Sequence, residues 1–190
     1  MNEPSDTTGQ LLRALWLPIA AMVVVVVVSN IAVQYPINDW ITWGALTYPV
    51  AFLVTDLTNR RFGVGATRRV VYVGFAIAVV LSIWAAGPRI AIASGSAFLA
   101  AQLLDVLIFD RLRRSEAWWR APLVSSLSAS ALDTALFFSI AFAGTGLPWV
   151  TWGLGDFGVK VAMALALLIP FRAMMGFVSP SALETRRTAA

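Results

Sequence analysis

The chain has 190 residues, 59% of them hydrophobic and 13% charged, with a mean hydropathy of +0.78, whereas a soluble domain carries about 25% charged residues. Its net charge of +4 comes from arginines set between apolar runs, a pattern that orients membrane helices, so no nucleic-acid partner is expected. Cys and His are absent, which excludes disulfides, thiol nucleophiles, Cys/His zinc centres, haem ligation by His and Ser-His-Asp triads; no metal and no cofactor are expected.

These figures predict an all-α integral membrane protein, a single bundle of six transmembrane helices with the lipid bilayer as its solvent. The first apolar run, Leu15–Val33, follows Arg13. It is too long for the apolar core of a signal peptide, about 7–15 residues, and no Ala-x-Ala site closes it, so it reads as a retained helix. Next come Ile41–Asp56, extending to Leu57, then Val70–Ala86, Ile90–Phe109, Pro122–Ala143 and Phe157–Val178. Gly87, Pro88 and Arg89 alone join the third and fourth runs, which predicts an antiparallel hairpin. The ends, 1–14 and 180–190, are polar and expected to be flexible.

With six crossings, Arg13, Arg60, Arg61, Arg68, Arg69, Arg111, Arg113, Arg114, Arg120, Arg186 and Arg187 all fall on one side. The opposite side holds Asp39, Arg89 and Asp156. The positive-inside rule therefore puts both termini in the cytoplasm. Trp16, Trp40, Trp43, Trp118, Trp119, Trp149 and Trp152 sit near the expected helix ends, as interfacial belts require.

An ionisable group near the bilayer centre costs about 2.5–3.5 kcal/mol even on the lenient scale, so each one inside a helix calls for a reason. Asp133 lies roughly 16 Å along the fifth helix and is the deepest. Ser126, Ser130, Asp133 and Phe137 share one face of that helix; Phe98, Gln102, Asp105 and Phe109 share one face of the fourth. A carboxylate beside a flat ring suits a planar ligand with paired N–H donors. For the serines, helix-to-helix bonding is the simpler reading. For Asp105 and Asp56, nearer the cytoplasmic ends, both readings stay open. Lys160 and Asn30 lie towards the outer ends of their helices, Lys160 either snorkelling to the interface or pairing with an acid in a cavity. Arg89, the one basic residue in an outer loop, suits either binding of lipid headgroups or a place at the outer mouth. Ser94, Gly95 and Ser96 permit either close packing or local unwinding, and Pro170 points to a hinge.

Gly153-Leu154-Gly155-Asp156 matches the Gly-x-Gly-Asp signature of intramembrane aspartyl proteases, but no partner motif with a second aspartate precedes it. No phosphate-binding loop and no dinucleotide fingerprint occurs, so energy from ATP would require another subunit.

The stretches Thr42-Trp43-Gly44-Ala45-Leu46-Thr47-Tyr48-Pro49 and Thr55-Asp56-Leu57-Thr58-Asn59-Arg60-Arg61-Phe62-Gly63 closely resemble the VUT family of queuosine precursor transporters. So do Arg89 to Ser94, Gln102 to Val106, Phe109 to Arg113, Trp118-Trp119, Asp133 to Phe138, Ser29-Asn30, and Lys160-Val161 with Pro170. The resemblance implies a multi-pass carrier of the bacterial inner membrane. Its substrates would be 7-cyano-7-deazaguanine and 7-aminomethyl-7-deazaguanine, salvaged for the queuosine modification of tRNA. On that reading the substrate-binding candidates are Asn30, Gln102, Asp105, Asp133, Phe137 and Lys160, and the gating or coupling candidates are Asp56 and Arg89. A homo-oligomer or an energising subunit is left open, as is a carrier of another nucleobase or vitamin.

Overall fold

In a computed structural model, residues 4–32, 35–38, 41–86 and 88–178 are described. The expected tail 180–190 lies outside them. The elements are α1 (Pro4–Ala32), β1 (Pro36–Asn38), β2 (Ile41–Thr42), α2 (Trp43–Thr47), α3 (Val50–Ala86), α4 (Pro88–Leu112), α5 (Arg120–Phe142) and α6 (Trp149–Met174). Among the described residues, five stretches are long and apolar enough to cross a bilayer: Arg13–Ala32, Trp43–Trp84, Pro88–Leu112, Arg120–Phe142 and Trp149–Met174. The molecule is a multi-pass, all-helical membrane protein, apart from a short antiparallel ribbon in which Pro36 pairs with Thr42 and Asn38 with Ile41.

Four features differ from the expected helices, the last being that α6 begins at Trp149, not Phe157, so that Asp156 lies inside the helix. α1 starts at Pro4, well before Leu15, because Gln10, Leu11 and Leu12 lead into the apolar run without a helix breaker. The second expected helix, from Ile41, is divided: Ile41–Thr42 is strand, α2 follows, and the chain turns at Tyr48 and Pro49 before α3. Pro49 has no N–H to continue α2 and disfavours helical backbone at Tyr48, so the helix stops there. The second and third expected helices form one element, α3, interrupted at Gly63 (φ 77°, ψ 176°), a backbone conformation that only glycine enters readily.

Side-chain contacts show how α3 is divided. In the first limb, residues 50–62, Thr55 bonds Asp105 at 3.0 Å and Asn59 bonds the Val106 carbonyl at 2.9 Å. Just before that limb, the Tyr48 ring meets Phe98, so this part of the chain runs in the same direction as α4. In the second limb, residues 64–86, a methyl group at Gly74 would sit 3.3 Å from Phe98 Cζ and 2.7 Å from Met22 Cγ. One at Gly95 would sit 3.3 Å from Val79, so this limb runs against α4. The chain therefore reverses at Gly63. The small residues around Gly95 serve close packing: α4 is unbroken there, and Ser96 returns its hydroxyl to the Ile92 carbonyl at 2.6 Å.

α4 packs between α3 and α5, α1 packs on α3, and α6 packs on α5, with α2 bridging α1 and α6. The main core joins Leu15, Met22 and Val26 of α1 to Val70, Val71 and Ala78 of the second limb and to Phe98 and Val106 of α4. At the arginine-rich end, Phe109, Ala121 and Phe171 close α4, α5 and α6 together. Arg172 covers Trp118 there, and Arg113 pairs with Asp110 at 2.8 Å. At the other end Arg89 donates to the carbonyls of Ile140 (3.0 Å) and Ala143 (2.7 Å), capping the negative end of α5.

Candidate functional site

The break at Pro49 places Tyr48 beside a cavity of about 160 Å³ in the half of the bundle remote from the arginines. α1 contributes Ser29 and Asn30, α4 contributes Ser94 and Phe98, α5 contributes Asp133 and Phe137, and α6 contributes Asp156 and Lys160. A discontinuous helix at a midplane site is a recurrent device of transporters, because it releases polar and aromatic groups from the helix pattern.

The polar centre is a closed ring of bonds. Lys160 Nζ meets Asp133 Oδ2 at 2.7 Å and Asp156 Oδ2 at 2.5 Å. It also donates to Thr134 Oγ1 at 3.1 Å, while the Thr134 hydroxyl donates to Asp156 at 2.8 Å. The Tyr48 hydroxyl donates to the other oxygen of Asp133 at 3.1 Å, and the ammonium lies 5.6 Å from the Tyr48 ring centroid. Lys160 is only 5% exposed, so it is held in the interior and does not snorkel. Such a buried charge persists because two carboxylates and a hydroxyl replace its water; removal of one partner from a buried pair costs about 3–5 kcal/mol. Asp156 faces this ammonium, an arrangement unlike the two carboxyls sharing one water that aspartyl proteolysis requires.

The aromatic walls complete the site. The Tyr48 ring stands edge-on to Phe52 at 6.0 Å and to Phe98 at 6.2 Å. Tyr48, Phe98 and Phe137 line the cavity; behind Phe137 stands Phe138 at 90°, and Phe142 continues the group to Trp152 at 5.7 Å. The cavity thus sets aromatic rings beside two carboxylates and one ammonium, a combination suited to a flat molecule with polar edges.

Of the sequence candidates, Asn30, Asp133, Phe137 and Lys160 come together at this cavity. Asn30 also bonds the Val26 carbonyl at 2.9 Å. Gln102, Asp105 and Asp56 lie elsewhere, buried nearer the arginine-rich end, and Arg89 lies at the α5 terminus. Tyr48 and Asp156 are cavity residues that sequence reasoning did not assign. A signal existed for each: Tyr48 precedes a helix-breaking proline, and Asp156 stands one helical turn from the only lysine.

A family model described as "Putative vitamin uptake transporter" matches residues 42–87 and 81–175. The chain belongs to the vitamin uptake transporter family. It is 34% identical to the "Queuosine precursor transporter" of Escherichia coli, in an alignment covering 90% of this chain and 89% of that protein. It is 36% identical to a "Probable queuosine precursor transporter" of Haemophilus influenzae, across 68% of this chain and 66% of the relative. A Bacillus subtilis protein of the same description is 25% identical across 67% of this chain. No solved structure matches the chain significantly.

Proposed function

We propose that this protein imports queuosine precursors, 7-cyano-7-deazaguanine and 7-aminomethyl-7-deazaguanine, across the bacterial inner membrane for tRNA modification. The observation that carries the reading is the Lys160 ammonium held between Asp133 and Asp156 at one edge of an aromatic-walled cavity. A 7-deazaguanine carries a ring N–H and an exocyclic amine side by side, and a carbonyl next to them. Asp133 accepts the paired donors, Lys160 donates to the carbonyl, and Tyr48, Phe98 and Phe137 contact the ring faces. The names of the bacterial relatives support this substrate class over other nucleobases and vitamins.

The chain crosses the membrane six times on this reading, with the reversal at Gly63 separating the second and third crossings and both termini in the cytoplasm. The supporting facts are the opposite directions of the two α3 limbs along α4 and the arginines gathered at one end. The cavity then opens to the outer half. The cytoplasmic half is closed by Phe52, Ala101 and Ala129, and beyond them by Phe109 and Phe171. Substrate enters from outside, and rearrangement of these layers delivers it inward.

The test is restoration of queuosine in tRNA when precursor is fed to a strain that lacks both its own synthesis and its own transporter. The wild-type gene restores it and Asp133→Asn does not. Restoration by Asp133→Asn at wild-type precursor concentrations would remove Asp133 from substrate binding. Competition of labelled uptake by a panel of purines and vitamins separates the precursor reading from a carrier of another base.

A further inference from the structure

Beneath the cavity lies a second group of polar side chains that substrate recognition does not use. Asp105 is 0% exposed and Asp56 is 2% exposed. Thr55 donates to Asp105 at 3.0 Å, and Ser125 donates to Asp56 at 3.4 Å. The two carboxyl groups lie close enough to interact, and the second oxygen of Asp105, Oδ1, is buried with no hydrogen-bond partner. A buried carboxyl oxygen with no donor is a place where a proton can bind, since a carboxylate offers only acceptors and a carboxylic acid supplies its own donor.

Two further observations connect this pair to the cavity. Gln102 is 0% exposed, and neither its amide nitrogen nor its amide oxygen has a hydrogen-bond partner. It lies between Phe98, which lines the cavity, and Asp105, on the α4 face whose neighbours meet Tyr48 and Thr55. On α5, Ser130 stands in the same relation between Asp133 and Ser126, is 1% exposed, and its hydroxyl also lacks a partner. Buried polar groups left unpaired normally bond water or a ligand. A void of about 10 Å³ lies against Asp56 and Ser126, close to the room one water needs. Two polar stripes, on α4 and α5, thus lead from the substrate site to the carboxyl pair.

Among the described residues, those around the pair carry no competing charge until the arginine-rich end. α5 presents Pro122, Ser125 and Ser126, and α6 presents Ala164, Leu167, Leu168 and Phe171. The first limb of α3 presents Thr55 and Asn59, and Arg113 reaches the Asn59 carbonyl at 3.1 Å. Arg60 and Arg172 accompany Arg113 at that end.

We propose that Asp56 and Asp105 form a proton-coupling site, loaded from the outer side through water at Gln102 and Ser130, so that substrate import is proton symport. Each cycle adds a proton from hydronium to one carboxylate oxygen and returns it to water at the arginine-rich end, with no covalent change in the substrate. The inference rests on the transport reading above for its substrate, but the state of the carboxyl pair does not.

Two measurements decide it. Infrared difference spectra of the purified full chain in lipid, stepped in pH without substrate, read the carbonyl stretch of a protonated carboxyl. The expected band disappears in Asp56→Asn and in Asp105→Asn and persists in Asp133→Asn. In proteoliposomes with the membrane potential clamped, wild-type protein accumulates labelled 7-cyano-7-deazaguanine about tenfold per unit of imposed pH difference, and a protonophore abolishes this. Both variants reach only equal concentrations on the two sides. A band that neither variant removes overturns the proposal, as does wild-type protein that exchanges substrate yet ignores the gradient. Wild-type protein that moves no 7-deazaguanine overturns the substrate reading instead, and the infrared result still decides the pair.

Discussion

Tyr48 and Asp133, 85 positions apart in the chain, are joined hydroxyl to carboxylate at 3.1 Å, and that bond ties the broken end of α2 to the deep acid of α5. The same carboxylate uses its other oxygen to hold Lys160 at 2.7 Å. Asp133 is therefore gripped from two elements before any substrate arrives, which lowers the cost of orienting it on binding.

Tyr48→Phe keeps the ring in the cavity and removes only the hydroxyl. A hydrogen bond to a charged group contributes about 1.5–3 kcal/mol, part of which water restores at an open cavity. The expected result is a rise in the KM for precursor uptake of about tenfold, with normal amounts of protein in the membrane. An unchanged KM would show that the bond plays no part in ordering Asp133.

Lys160→Met leaves Asp133 and Asp156 facing each other with no cation between them. Loss of one side of a buried pair costs about 3–5 kcal/mol, so thermal unfolding in detergent should occur at a clearly lower temperature. Adding Asp156→Asn to Lys160→Met removes the surplus charge and recovers part of the loss. A double variant no more stable than Lys160→Met would contradict the electrostatic account of this ring.

The reversal at Gly63 predicts which side of the membrane each loop occupies. The chain contains no cysteine, so single cysteines can be introduced directly. Thr145→Cys should react with an impermeant maleimide in intact spheroplasts. Gly65→Cys and Ala117→Cys should react only after permeabilisation, although all three positions are surface-exposed or nearly so. Reaction of Gly65→Cys from outside would rule out the hairpin within α3.

Gly63→Ala places a Cβ at φ 77°, ψ 176°, a region costing a non-glycine residue about 1–3 kcal/mol. Lower protein yield and a lower melting temperature are expected. Gly155→Ala serves as the control, because a methyl group there meets nothing within 4 Å and its backbone is helical. Equal stability of the two variants would mean that the turn can relax without glycine.

The amino-acid sequence by itself determined the solvent, the approximate spans and the polar residues that matter, because hydropathy and charge are local sums along the chain. Asp133 and Lys160 were legible for that reason: each is an ionisable group in an apolar run, and such groups are costly wherever the helix lies. The tertiary structure decided which polar residues meet. Asp105 and Asp133 look equivalent on their helical stripes, yet Asp133 faces the cavity and Asp105 is bonded by Thr55 away from it, since the depth of each stripe depends on how α4 and α5 are aligned with their neighbours. It also decided that the helix break falls at Tyr48 and Pro49 and not at Gly95, where α4 continues unbroken and packs closely on Val79 and Phe75. Helix periodicity specifies a face and a depth within one helix; the register between helices comes only from the packing of side chains distant in sequence.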